Sequence, residues 1–168
     1  KDSTSTVSEV YVLSSAPEYD QALSADRSMM KTIDSLEAAG LVRNHSGVRP
    51  FLASKEEQQE RLEMWSDFVA RNKEKLTTEF TEAAEAAGFS SKAFKQFAHL
   101  VNEAETLTPQ EIDFFEPLTG VILSANMTKL EDTGKSYIIN TLTVDNDRIE
   151  EVKSHFDDCF DVVGMNLS

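Results

Sequence analysis

The spacing of apolar positions changes several times along the chain, and each change predicts an element. "VSEVYVLSS" at 7 to 15 is rich in β-formers and predicts a strand ended by Pro17. Leu23, Met30 and Ile33, with Met29 and Leu36 beside them, then recur at helical spacing, and Gly40 stands where that helix would close. "LVRNHSGV" at 41 to 48 predicts a shorter strand. In "GVRPFLASKEEQQERLEMW", Pro50 blocks an early helix start. Ser54 and Glu57 then form a capping box, in which hydroxyl and carboxylate each satisfy a free amide of the first turn. A long charged helix is expected to begin there.

From Ser54 to about residue 118 nothing reads as a strand. Leu62, Trp65, Phe68 and Val69 define one helical stripe; Leu76, Phe80, Ala83, Ala84 and Ala87 define a second, ended by Gly88. Ser91 is placed to cap a third helix carrying Phe94, Phe97, Leu100 and Val101, and Thr108, Pro109 and Glu111 to open a fourth. Residues 119–135 lead back, with a short strand at "NMTKL", 126 to 130. "SYIINTLTV" at 136 to 144 carries β-branched and apolar side chains on both faces, as a central strand does. Asp147 and Glu150 then suggest a cap before a helix with Ile149, Val152 and Phe156, and "FDVVGMN" at 160 to 166 suggests a closing strand.

Two strand-helix-strand units separated by a helical stretch predict an α+β fold: a ferredoxin-like split β-α-β antiparallel sheet with a large, mostly helical insertion. The core is expected from 1–48 and 119–168, and the insertion from 49–118. The strands at 7–15 and 136–144 should be central neighbours, in the order fourth, first, third, second.

Charge narrows the partners. Sixteen basic against 30 acidic residues give a net charge of −14, which disfavours nucleic acid and anionic membrane surfaces, since both are bound by clustered Lys and Arg. The single cysteine, Cys159, cannot form an internal disulfide. No apolar run reaches the roughly 18 residues of a membrane span. "KDSTSTVSEV" has neither a signal-peptide apolar core nor an initiating methionine, so the chain is expected to be part of a longer protein.

Catalytic chemistry is hard to find. His45, His99 and His155 are too scattered for a metal motif, and no CxxC, HExxH or G-x-S-x-G occurs. His155 and Cys159 in "SHFDDC" would suit an activated thiol, but a cysteine near a helix end reads more simply as a small buried filler. The seven carboxylates from Asp145 to Asp161 fail the calcium-loop pattern, because Ile149 falls where an oxygen ligand is needed. A non-enzymatic domain without metal or cofactor is expected. What remains is apolar: eight of ten phenylalanines fall between 51 and 115. Most of them should pack the helical stretch. Phe51, Leu52, Trp65, Phe114 and Phe115, near its junctions with the sheet, are the candidates for an apolar groove.

Several segments together resemble a known family: "VYVLS", "IDSLEAAGLV", "RNHSGV", "PFLASKEEQQERLEMW" and "AAGFSSKAFKQF". They are similar to the first large periplasmic loop of the MMPL-type branch of the resistance-nodulation-division (RND) exporters. That branch commonly carries L-P-S before a glutamine-containing helix and G-F-x-x-x-A-F before the next. Here the first is "LAS" at 52 to 54, with alanine in the proline place, and the second is Gly88, Phe89, Ala93 and Phe94. The resemblance implies a non-catalytic porter domain on the periplasmic side of a bacterial inner membrane, in a proton-driven exporter of lipids or other hydrophobic molecules. Its partners would be the exporter's transmembrane helices, which carry the proton relay, and its second periplasmic domain. The residues alone also admit a free-standing ligand-binding or protein-interaction module of the same fold.

Overall fold

The computed structural model describes residues 7–90, 92–112, 120, 123–157 and 159–161, the last three through their backbone. In chain order the described elements are β1 (Val7–Ala16), α1 (Tyr19–Ala38), β2 (Asn44–Ser46), α2 (Lys55–Glu74), a π-helical turn (Lys75–Glu79), α3 (Phe80–Ala86) and α4 (Lys95–Asn102). They continue with β3 (Met127–Leu130), β4 (Lys135–Asp145), a 3-10 turn (Asn146–Arg148), α5 (Ile149–Lys153) and β5 (Cys159–Asp161). The chain divides into two compact units, one of Lys1–Ser54 with Glu111–Ser168 and one of Lys55–Gln110.

The first unit is a mixed α+β structure on an antiparallel sheet with strand order β2-β4-β1-β5. β1 and β4 pair along their length, with Val7 opposite Asp145 and Ala16 opposite Ser136, as expected for 7–15 and 136–144. β2 and β3 share the other edge of β4, pairing with residues 141–143 and 135–138 respectively. Period-two patterning sets the faces. Val10, Val12 and Ser14 on β1, and Ser136, Ile138, Asn140, Leu142 and Val144 on β4, are buried, while the residues between them are mostly half-exposed.

β2 is shorter than the strand expected over 41–48. Gly40, at φ +73°, ends α1, and the Leu41 and Val42 amides both donate to the Leu36 carbonyl, at 2.9 and 3.3 Å. Those residues therefore complete the helix end, and Val42 enters the core. The cap expected at Asp147 is likewise absent: the 3-10 turn and α5 begin without a side-chain cap bond. The closing strand is described only as Cys159–Asp161; the remainder of 160–166 lies outside the described residues.

Two apolar clusters fill the space between sheet and helices. One joins Val10, Val12, Ile33, Leu36, Leu142 and Val152; the other joins Ala22, Leu23, Val48, Leu52, Leu123 and Ile138. On β1, on β4 and on α1 the residues between the clusters are polar and buried: Ser14, Asn140 and Asp26. Asn140 Nδ2 donates to Asp26 Oδ1 at 2.5 Å, and Ser14 Oγ donates to the same oxygen at 3.3 Å. A polar layer thus crosses the core. Gly47 stands beside it, where a Cβ would lie 2.0 Å from Asn140 Oδ1.

The first unit also claims residues expected with the helices. Leu52 is 4% exposed and belongs to the second cluster of its core, so the division falls after Ser54 and not near 48. At the other end it falls after Gln110.

The second unit carries α2, the π turn, α3 and α4. α2 begins at Lys55, directly after Ser54, where the capping box put it. Helical backbone then continues through the π turn to Ala86, and Gly88, at φ +84°, ends it with Phe89 N–H donating to the Ala84 carbonyl at 2.9 Å. α4 starts at Lys95, later than a cap at Ser91 implied; Phe94 holds its N-cap position without a side-chain bond, and Ser91 lies outside the described residues. Thr108 to Glu111 are not themselves helical, and residues 113–119, over which the fourth helix expected here would run, lie outside the described residues. The Gln58 side chain engages Gln110 on both sides, with Nε2 donating to the Gln110 carbonyl at 3.2 Å and Oε1 accepting from the Gln110 amide at 2.8 Å. The backbone there is irregular.

Candidate functional site

The second unit buries few apolar side chains completely. Val69, Val101 and Ala104 form its core, with Trp65, Leu76 and Phe97 packed against them and partly exposed. The apolar area left over lines a cavity of about 230 Å³. Phe80, Phe94 and Phe97 form its aromatic wall: Phe80 meets Phe94 edge-on at 5.1 Å between centroids and Phe97 at 4.5 Å, while Phe89 meets Phe94 edge-on at 5.5 Å. Such geometries suit the quadrupoles of aromatic rings. They hold the wall without filling the space beside it.

The π turn decides where that wall stands. The Phe80 amide donates to the Lys75 carbonyl, five residues back, so the turn contains one residue more than an α-helix would. Everything after it is rotated about the helix axis by roughly one residue's angle of 100°. Leu76 and Thr77 in the turn, and Phe80, Thr81 and Ala84 after it, all face the cavity. Thr77 Oγ1 donates to the Lys73 carbonyl at 2.8 Å and Thr81 Oγ1 to the Thr77 carbonyl at 2.7 Å. These hydroxyls serve carbonyls along the irregular turn, and their protons are committed to the helix.

Of the candidates taken from sequence, Leu52 is buried in the core of the first unit, where its side chain packs with Leu23, Val48 and Ile138. Phe51, in the first unit, is 49% exposed. Trp65, in the second, is half-buried, stacks on Phe68 at 5.9 Å and donates its indole N–H to the Leu100 carbonyl at 3.2 Å. It packs against the Val69 and Val101 core, and Val101 also lines the cavity. Phe114 and Phe115 lie outside the described residues. The cavity residues were assigned by sequence to helix packing. The legible signal was their density, with Phe89, Phe94 and Phe97 spaced five and three residues apart across a glycine-ended helix.

Elsewhere, His155 and Asp157 border a shallow cleft of about 380 Å³ in the first unit, with Ser14, Ser28 and Thr32 opposite. Cys159 is on β5, and its side chain lies outside the described residues. Among the described residues no group of histidine, cysteine or carboxylate side chains is arranged to hold a metal, and no described helix is long and apolar enough to cross a membrane. Compared with protein-family models, with curated proteins and with solved structures, the chain has no match in any of the three.

Proposed function

We propose that the chain handles hydrophobic cargo without chemistry of its own, as a ferredoxin-like porter domain with a helical insertion from an RND exporter of the MMPL type. The observation that carries the reading is the phenylalanine-walled cavity of the second unit. An engineered apolar cavity of about 150 Å³ takes up benzene, so one of about 230 Å³ has room for a larger ring or a short folded chain. Strand order supports the fold: β2-β4-β1-β5 is the arrangement of a split β-α-β sheet when β3 is taken as an edge addition. The exporter, its inner-membrane setting and the periplasmic side rest on the sequence resemblance.

Titrating the 168-residue chain with 1-octanol tests the cargo reading. Trp65 borders the same small core as the cavity, so its emission should shift with a dissociation constant in the micromolar to millimolar range expected of a transient carrier. Ala84→Leu, which adds bulk to the wall, should weaken binding without unfolding the helices, checked by circular dichroism. No shift, or an equal shift in the filled variant, overturns the site. The exporter reading is tested on the coding sequence around these residues, where apolar spans of about 20 residues should occur; their absence overturns it.

A further inference from the structure

The charge of the cavity lining points to a narrower class of ligand. Besides apolar groups it contains Thr77, Thr81, Glu85, Ser90 and Asn102. The two threonine hydroxyls donate into the helix, as described, and so offer no proton to a ligand. Glu85 is the one charged residue of the lining, and no cation pairs with its carboxylate among the described residues. Lys75, Lys92 and Lys95, the lysines nearest in sequence, are exposed and do not line the cavity. An anionic head would meet Glu85 with only the Ser90 hydroxyl and the Asn102 amide as neutral donors. A cationic head would meet the carboxylate and a wall of aromatic rings, whose negative faces attract cations.

We propose that the cavity selects cationic amphiphiles, with an apolar chain or ring against Phe80, Phe94 and Phe97 and an ammonium head at Glu85. This rests on reading the cavity as a cargo site. It goes beyond that reading in excluding fatty acids and other anionic lipids as the preferred occupants. The net charge of −14 works in the same direction at long range, so the experiment has to separate the local carboxylate from the overall field.

Three probes of equal chain length do so when titrated calorimetrically into the 168-residue chain below their micellar concentrations: octyltrimethylammonium, 1-octanol and octanoate. Because Glu85 is exposed, its pairing with an ammonium head should be worth about a two- to five-fold gain in affinity over the alcohol, the range of exposed ion pairs. Octanoate should bind more weakly than either. Glu85→Gln should remove the ammonium advantage and leave the alcohol unchanged. An advantage that survives Glu85→Gln belongs to the whole-chain charge and overturns the proposal, as does octanoate binding as tightly as the ammonium. In both cases the cargo site itself stands. Failure of all three probes to bind removes the cargo site, and the selectivity with it.

Discussion

Asp26 carries the most information per residue in the first unit. It lies three positions after Leu23 and four before Met30, on the stripe that α1 turns to the sheet, and is fully buried there. A helical reading of the sequence places it in the core, but identifying the acceptor for its contacts required Asn140, more than a hundred residues away. Asp26→Ala leaves the Asn140 amide without that acceptor and should lower stability by about 1 to 3 kcal/mol. Asp26→Asn keeps an oxygen at the same place and should cost less, as measured by urea unfolding. Equal losses would mean that the polar layer contributes only volume. A second residue-scale effect lies on the face of β1 turned away from Val10 and Val12. Tyr11 donates to Glu9 Oε2 at 2.5 Å, and this bond, with burial and the Glu9 charge behind it, raises the Tyr11 pKa above 10.0. Folding thus favours the protonated phenol. Its contribution is fully present below pH 10 and fades as pH rises through the higher folded value. Glu9→Gln should bring the Tyr11 transition back toward 10, read as tyrosinate absorbance against a Tyr11→Phe control.

Among the elements, the sheet was the most legible and the helical connections the least. β1 and β4 announced themselves through β-formers, with β-branched and apolar side chains on both faces of 136–144, and their pairing follows from the topology that places two split units in one sheet; the alternation of buried positions was visible only in the structure. The π turn had no such signal. Lys75 to Glu79 is a polar segment of good helix formers and threonines, and the extra residue is visible only once the Phe80 amide is seen to reach Lys75. Nor does the sequence around Thr108-Pro109 signal that the Gln58 side chain holds the Gln110 backbone on both sides, a contact between residues far apart in the chain. Deleting Thr78 should convert the π turn to α-helix and leave Phe80 in place, whereas inserting one alanine between Glu79 and Phe80 should swing Phe80 by roughly 100° away from Phe94 and Phe97. Octanol binding should fall at least ten-fold in the insertion variant and stay near that of the parent in the deletion variant, with helix content by circular dichroism little changed in either. Phe94→Ala is expected to cost about 1.5 to 3 kcal/mol in stability, less than the 3 to 5 of a fully buried phenylalanine, because the Phe94 ring is only half-buried.

At the scale of the molecule the two units differ in how much they bury. The first has two clusters of fully buried aliphatic side chains, whereas the second relies on Val69, Val101 and Ala104 and leaves Met64, Phe68, Phe89 and Leu100 exposed. Regions with few buried contacts open at lower free energy. Amide hydrogens of α2, α3 and α4 should therefore exchange faster than those of β1 and β4, and a bound amphiphile should slow the helices selectively. Uniform exchange across both units would refute this difference in stability.

The pairing of β1 with β4 also sets a clock on the ribosome. Val10 and Val12 emerge first, but their pairing partners between Asn140 and Leu142 follow only after the whole helical unit has been made. At about 5 to 20 residues per second, that interval is on the order of ten seconds. α1 can cover one face of β1 during this time, yet one edge of the strand stays open until β4 arrives and the other until β5 follows. The nascent chain must therefore carry an unpaired, valine-bearing strand until β4 has been made, and the helices between the two strands have time to fold before the sheet closes.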